Sequence, residues 1–257
     1  MPRVEILIVS YLGDRDWLVH CLNSVRKFCA GFSGVTVLVP EVERAEFASF
    51  GESHDVRLAS YDRQPDPILW HLDHQRMKSR ADVVCPEAEL ILHVDSDCVF
   101  TEPATPDDYY LGGRPIHVVK PYSAFKSTLP PWRACTEAAV GWAVHHETMC
   151  RLPVLHWRDL YPALRSRVEA VHGRSFDKYV LGCAPTFPWG FSEFSALGQV
   201  ALSEPWRDRY RIVDKSVETP PPSKLKQFWS HGGFHGRDHL AERDGECAAD
   251  VFSRLGI

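Results

Sequence analysis

The chain has 257 residues, of which 44% are hydrophobic and 25% are charged, and its formal net charge is −5. This composition is that of an ordinary globular protein, and it excludes a disordered chain or a fibrous repeat. The negative net charge argues against a surface given over entirely to nucleic acid, although a local basic patch is compatible with it.

The cysteines and the start of the chain predict the cellular compartment. The eight cysteines form no Cys-x-x-Cys pair, which argues against zinc-ribbon and thioredoxin-like sites. Because the first strand-like run begins at Val4, we expect no signal peptide, and no apolar stretch is long enough to span a bilayer. We therefore expect a soluble cytoplasmic protein with reduced thiols and no membrane span.

The first 113 residues alternate short apolar runs with helical patterns. The predicted strands are 4–9, 35–39, 56–59 and 90–94. The predicted helices are 17–28 (capped by Asp16), 43–50 and 69–81. Alternation of this kind predicts an α/β fold with a mostly parallel central sheet flanked by helices.

The second half is less regular. Its predicted elements are helices at 136–144, 157–171 and 193–202, an extended connector at 219–223 and a polar helix at the C-terminus. Residues 114–133 carry four basic side chains and no acid; these are Arg114, Lys120, Lys126 and Arg133. No clean domain boundary is visible, so 1–113 and 114–257 are expected to form two halves of one continuous domain.

Two aspartates, Asp95 and Asp97, follow the apolar run 90–94. Side chains two apart on an extended strand share a face, so these carboxylates are expected to lie close together at a carboxyl strand end, where open α/β sheets bind ligands. Such a pair suits Mg²⁺ or Mn²⁺ bound together with a substrate diphosphate. The alternative is an Asp-Ser-Asp turn that hydrogen-bonds its own backbone.

The chain resembles the nucleotide-sugar-dependent glycosyltransferases of the GT-A fold, which carry a DxD motif. Four features match in the expected order over nearly the whole chain: an opening strand and loop ending at Tyr11, a helix with Gln75 and Lys78 on one face, the DxD at 95–97, and Glu193 within Trp-Gly-Phe-Ser-Glu-Phe. The resemblance implies a single GT-A domain, with the nucleotide-sugar-binding half at 1–113 and the acceptor-binding half at 114–257.

The resemblance also implies donor-site roles. Asp97 would ligate the metal directly, and Asp95 would contact its waters or the ribose. Tyr11, Gln75 and Lys78 would bind the base and the sugar diphosphate. The cofactor would be Mn²⁺ or Mg²⁺, and the donor a nucleotide diphosphate sugar, with UDP the commonest nucleotide among similar enzymes.

Glu193 is the candidate general base, because members that invert the sugar carry an acid near this point. A cap by Ser192 and the helix N-terminus would favour its carboxylate form. A glutamate in a first helical turn also occurs for stability alone. Many relatives have Asp at this position, so Ser192-Glu193 is a departure from their pattern.

The tail Ser-His-Gly-Gly-Phe-His supplies the remaining metal candidates. Several GT-A families return a C-terminal histidine to the metal site, which maps to His231, with His235 as second choice. Histidine is a common metal ligand, and the glycines allow the backbone to approach phosphate closely.

The predicted function is therefore transfer of a sugar from a nucleotide diphosphate sugar to a hydroxyl acceptor, a hexosyltransferase reaction with inversion. The sequence does not decide the acceptor. It is a glycan, a natural product or another small molecule, or hydroxymethylated phage DNA, whose phosphates the basic segment 114–133 would neutralise. Two other functions stay open: a nucleotidyltransferase acting on sugar phosphates, and a non-catalytic carbohydrate-binding domain. The oligomeric state is not predicted.

Overall fold

Strands and helices alternate along the first hundred residues, as the apolar runs predict. The structure, a computed structural model, describes residues 2–126, 132–186, 189–228 and 245–257. Within them the strands are β1 (Val4–Val9), β2 (Gly34–Pro40), β3 (Arg57–Tyr61), β4 (Leu90–Asp95), β5 (Cys98–Phe100), β6 (Tyr110–Leu111), β7 (Arg114–Pro121), β8 (His146–Glu147), β9 (Val154–Trp157), β10 (Arg211–Asp214) and β11 (Leu225–Gln227).

The α-helices follow the same chain order. They are α1 (Arg15–Phe28), α2 (Arg44–His54), α3 (Pro67–Lys78), α4 (Ala81–Val84), α5 (Trp132–Val140), α6 (Leu160–His172), α7 (Phe176–Leu181), α8 (Glu193–Ala201) and α9 (Ala248–Leu255). Among the described residues, no helix combines the length and apolar character that crossing a bilayer requires.

The central sheet has the strand order β3-β2-β1-β4-β9. The first four strands are parallel, and β9 runs antiparallel to β4 at one edge. Every residue of β1 is buried, as expected of a strand covered on both faces. The predicted α/β class with a mostly parallel sheet is confirmed.

The register of the sheet positions the DxD motif. β1 and β4 are paired from Val4 with Leu90 to Val9 with Asp95, so both strands end at the same level. The loop after β1 and the turn after β4 therefore meet at one edge of the sheet, the edge at which α/β folds bind ligands.

Two predicted helix boundaries are wrong for identifiable reasons. Helix α1 begins at Arg15 and not after a cap at Asp16, and the residue before it, Asp14, directs its carboxylate to Ser96 and not to the helix. The helix predicted at 136–144 spans Trp132–Val140, because Gly141 adopts a left-handed φ of 74° and ends it.

Three other predictions need correction. The predicted helix 157–171 begins at Leu160, since Val154–Trp157 is a strand that pairs with β4. The helix predicted at 69–81 ends at Lys78, and α4 is a separate turn. The C-terminal helix is amphipathic and not simply polar. Its buried residues follow the spacing of one helical face and are Ala248, Val251, Phe252 and Leu255.

Three histidines are buried between β4, β7 and β9. His93 shares a hydrogen bond of 2.7 Å with the Tyr161 hydroxyl, and the rings of His117 and His156 lie 5.7 Å apart. Burial lowers all three pKa values, to about 3 for His93 and about 4 for His117. These imidazoles are therefore neutral in the folded protein at physiological pH.

This burial predicts a loss of stability in mild acid. The unfolded chain binds protons at histidine near pH 6.5, whereas the folded chain does not until far lower pH, so the free energy of unfolding should fall as pH drops from 6.5 towards 4. At pH 5 each such histidine removes about 2 kcal/mol. The free energy of unfolding is measured by urea titration at pH 7.5 and at pH 5. Between these two pH values His117→Gln should lose less of it than the wild type does. An equal loss would show that His117 is not held neutral by burial.

Candidate functional site

The Lys78 ammonium lies between two carboxylates that are far apart in the sequence. Its Nζ is 2.7 Å from Asp95 Oδ1 and 3.4 Å from Glu193 Oε1. The ring of Phe194 lies 4.9 Å from the same nitrogen. The fold thus brings together three of the residues that the sequence singles out, from α3, the end of β4 and the start of α8.

The charge state of Lys78 follows from these neighbours. Burial alone would lower its pKa, but the carboxylates of Asp95 and Glu193 outweigh burial and raise the pKa above its usual value. The side chain is therefore an ammonium throughout the physiological range. One ammonium thus contacts two acidic side chains.

Glu193 is positioned by the start of its helix. Ser192 caps α8, accepting a hydrogen bond of 3.4 Å from the Ser195 amide, as predicted. Glu193 itself is only 6% exposed, in the first turn, where the helix dipole favours a carboxylate. The segment before it is tied to α3, because Gln75 Nε2 donates to the Phe191 carbonyl at 2.8 Å.

Gln75 lies beside the group formed by Lys78, Asp95 and Glu193. Its side chain is buried, and Oε1 has no hydrogen-bond partner among the described residues. A buried acceptor without a donor is unfavourable unless a water or ligand supplies one. Gln75 therefore holds the Phe191–Glu193 segment in place, and its contact with a sugar diphosphate stays a prediction.

Close packing fixes the rest of α8. A Cβ on Gly198 would collide with Thr148, so only glycine lets the helix lie this close to the chain after β8. Thr148 Oγ1 donates to the Ser195 carbonyl at 3.1 Å, and Gln199 Nε2 donates to the His146 carbonyl at 2.7 Å. The helix that begins with Glu193 is therefore firmly placed.

Tyr11 lies in the loop after β1, at the same edge of the sheet. Its ring meets the His74 ring edge-on at 5.3 Å. Burial, then the charge of Asp14, raises the Tyr11 pKa to about 12, and burial, then the charge of Lys78, lowers the His74 pKa to about 3. Both rings are thus neutral. The predicted contact of Tyr11 with a base stays a prediction.

Asp14 and His74 are site residues that the sequence reasoning missed. Ser96 Oγ donates to Asp14 Oδ2 at 3.0 Å, so a third carboxylate lies at the DxD turn. His74 precedes Lys78 by four residues, a spacing that places both on one helix face and would have identified it. No local pattern distinguishes Asp14 from any other acid in a loop.

The chain returns to Asp97 near its C-terminal end. Strand β11 pairs antiparallel with β5, and the Phe228 amide donates to the Asp97 carbonyl at 3.0 Å. Gln227 Nε2 lies 3.5 Å from Asp97 Oδ1. The predicted metal ligands His231 and His235 lie outside the described residues.

The residues present fit a hard divalent cation in their chemistry. Asp95 and Asp97 offer carboxylate oxygens, and Asp97 is 8% exposed. Within the described ranges, no three His, Cys, Asp or Glu side chains are grouped so that they could hold one ion. Mg²⁺-type ions commonly use one or two carboxylates and take the remaining oxygens from phosphate and water, so the donor set is compatible with such an ion.

Comparison with known proteins gives no further guide. No protein-family model matches the sequence, and no curated protein matches it.

Proposed function

We propose that the chain is a metal-dependent glycosyltransferase of the GT-A fold that transfers a sugar from a nucleotide diphosphate sugar, a UDP-sugar in the first instance, to an acceptor hydroxyl with inversion. The observation that carries the proposal is the meeting of Asp95, Lys78 and Glu193 at the carboxyl edge of the parallel sheet. Asp95, which belongs to the proposed donor site, and Glu193, the proposed base, each lie within ion-pair distance of Lys78.

Glu193 is the base in this proposal. A carboxylate positioned by a capped helix and an ammonium can remove the proton of an acceptor hydroxyl as the new glycosidic bond forms. The contacts of Lys78 and Gln75 restrict the position of this carboxylate, which favours reaction with one hydroxyl.

The remaining predicted site residues bind the nucleotide diphosphate sugar in this proposal. Lys78 provides a permanent positive charge beside the diphosphate, Gln75 contributes its side-chain amide to the same site, and Tyr11 packs on the base. A Mn²⁺ or Mg²⁺ ion held by Asp97 with Asp95 in support would neutralise the departing nucleoside diphosphate. The same edge of the sheet binds nucleotides in other α/β folds.

The nucleotidyltransferase alternative has less support. Such enzymes cradle phosphate with backbone amides in a glycine-rich loop after the first strand. Here the Leu12 amide already donates to Glu43 Oε2 at 2.7 Å, and Asp14 adds a negative charge to the loop. A non-catalytic carbohydrate-binding domain would give Glu193 only a structural role, as a partner of Lys78.

Metal-dependent donor binding tests this proposal. In a thermal-shift screen, UDP or another nucleoside diphosphate should raise the melting temperature by several degrees in the presence of Mn²⁺ and little in EDTA. Asp97→Asn should remove the Mn²⁺-dependent part, because it removes the charge of the direct ligand.

Asp107→Asn is the matched control, since Asp107 is exposed in the turn before β6. It should behave as the wild type. The proposal fails if no nucleoside diphosphate stabilises the wild type with any divalent ion, or if both variants respond equally.

A further inference from the structure

A cavity of about 510 Å³ lies at the C-terminal end of β7, outside the group formed by Lys78, Asp95 and Glu193. Its walls come from the turn after β7, from the start of α5 and from the segment that enters β8. The polar side chains that line it are Tyr122, Ser123, Arg133, His145 and His146.

We propose that this cavity binds a single anionic group, a phosphate or a carboxylate, carried by the sugar acceptor. The proposal rests on the glycosyltransferase function argued above and names the class of acceptor that the enzyme takes.

The cavity is electrostatically suited to an anion. Arg133 uses Nε to pair with Glu137 at 3.1 Å, and its two terminal nitrogens have no other hydrogen-bond partner among the described residues. His145 is exposed and offers a further ring N–H donor. No carboxylate is among the described residues that line the cavity; Glu137 and Glu147 lie behind its wall, where they pair with Arg133 and Tyr122. Guanidinium and imidazole donors arranged in this way match the oxygens of phosphate or carboxylate.

The walls of the cavity are held by the fold and do not depend on a ligand. The Tyr122 amide donates to the His145 carbonyl at 2.9 Å, and Pro121 and His146 are paired in the ladder between β7 and β8. The Arg133 guanidinium lies 5.2 Å from the centre of the Tyr122 ring, which restrains its position. A preformed site of this kind binds without a large ordering cost.

The cavity lies beside the helix that carries the base candidate. The His146 carbonyl accepts a hydrogen bond from Gln199 of α8, and Gln199 is six positions after Glu193, about 9 Å along a helix axis. Trp132, the neighbour of Arg133 in sequence, meets the ring of Trp189 at 4.9 Å, and Trp189 is 51% exposed shortly before Glu193. This aromatic pair adjoins Arg133 on one side and the segment before α8 on the other in sequence, and the exposed ring of Trp189 suits a sugar.

The distribution of charge favours one anionic group over a polyanion. Arg114 begins β7 and the cavity lies past the other end of that strand, about 23 Å away at the rise of an extended chain. The basic residues of 114–133 thus do not form one compact patch. A volume near 500 Å³ is also that of a small-molecule site.

Binding of charged and neutral sugars, measured without donor, tests the assignment. Glucose 6-phosphate, glucuronate and glucose are titrated into the full chain by calorimetry. We expect at least one of the two anionic sugars to bind about tenfold or more tightly than glucose, since charge-assisted hydrogen bonds contribute most of the affinity. The tighter of the two identifies phosphate or carboxylate as the group.

The variants separate this cavity from general charge effects. Arg133→Gln and His145→Gln should each weaken the anionic sugar several-fold and leave glucose unchanged. Arg114→Gln, which removes the same charge at the far end of β7, should leave both unchanged. Equal affinities for the three sugars would overturn the inference, and so would equal losses in Arg133→Gln and Arg114→Gln. The inference would also be overturned if a 20-nucleotide single strand bound more tightly than either anionic sugar. In that case the affinity for the strand would fall with salt as steeply as several phosphate contacts require.

Donor binding is followed in the same samples. Arg133→Gln should keep the Mn²⁺-dependent binding of the nucleoside diphosphate that the wild type shows. If the wild type binds an anionic sugar but no nucleoside diphosphate, the glycosyltransferase proposal fails and the acceptor role with it. If donor binding is present and charged sugars are not preferred, only the acceptor inference fails.

Discussion

Replacing Lys78 with methionine is expected to lower the free energy of unfolding by about 3 kcal/mol or more, because it leaves two buried carboxylates without their cation. Methionine keeps most of the side-chain volume, so the loss reports charge and not a cavity. In the wild type, Lys78, Asp95 and Glu193 are all largely buried, with side-chain exposures of 13%, 22% and 8%. Urea unfolding followed by tryptophan fluorescence measures the change.

Two further variants make this prediction specific. Lys78→Arg retains the charge and should lose less stability than Lys78→Met. Adding Glu193→Gln to Lys78→Met should recover part of the loss, since one of the two repelling carboxylates is then neutral. If Lys78→Met is as stable as the wild type, or if the double variant is less stable than Lys78→Met, the ammonium does not hold these acids together.

Replacing Glu193 with glutamine is expected to reduce sugar transfer by about 10²–10⁴-fold, the usual contribution of a general base. The fold should persist, because the change leaves Lys78 and Asp95 as a one-to-one pair, and the cap at Ser192 does not involve the carboxylate. Mn²⁺-dependent binding of the nucleoside diphosphate should stay within about twofold of the wild type. Single-turnover assays with a saturating donor measure the chemical step.

Glu193→Asp serves as the comparison variant. It keeps a carboxylate but withdraws it by one methylene group, so its rate should lie between those of the wild type and Glu193→Gln. Glu193 is not the base if Glu193→Gln transfers sugar at the wild-type rate, or if it loses donor affinity and rate in parallel.

The sheet could be predicted from the sequence because its strands are fully buried. Parallel strands covered on both faces appear as continuous apolar runs, such as Val4–Val9 and Leu90–Asp95, and these keep their bounds to within one residue. Strand Val154–Trp157 was missed because four residues with a histidine and a tryptophan match a helix start equally well. This segment is a strand and not a helix because it pairs with β4, which is distant in the sequence.

The sequence singles out Lys78, Asp95 and Glu193, but it does not predict the contacts among them. Lys78 and Glu193 were both expected to contact substrates, yet the structure pairs them with each other through a separation of 115 residues that no local pattern encodes. The contact of Gln75 with the Phe191 backbone is likewise beyond any local pattern, and its contact with a donor stays a prediction. Asp14 was missed because its contact with Ser96 joins two loops that only the register of β1 and β4 brings together.

The most direct test of the central claim is the release of nucleoside diphosphate from a panel of nucleotide sugars, measured by chromatography with and without Mn²⁺ in the presence of a mixture of sugar acceptors. We expect that the wild type consumes at least one nucleotide sugar and that consumption requires the divalent ion. Asp97→Asn and Glu193→Gln should both lose this activity, whereas Arg114→Gln should retain it. If the wild type consumes no donor above the level of Asp97→Asn under any of these conditions, the protein is not a metal-dependent glycosyltransferase.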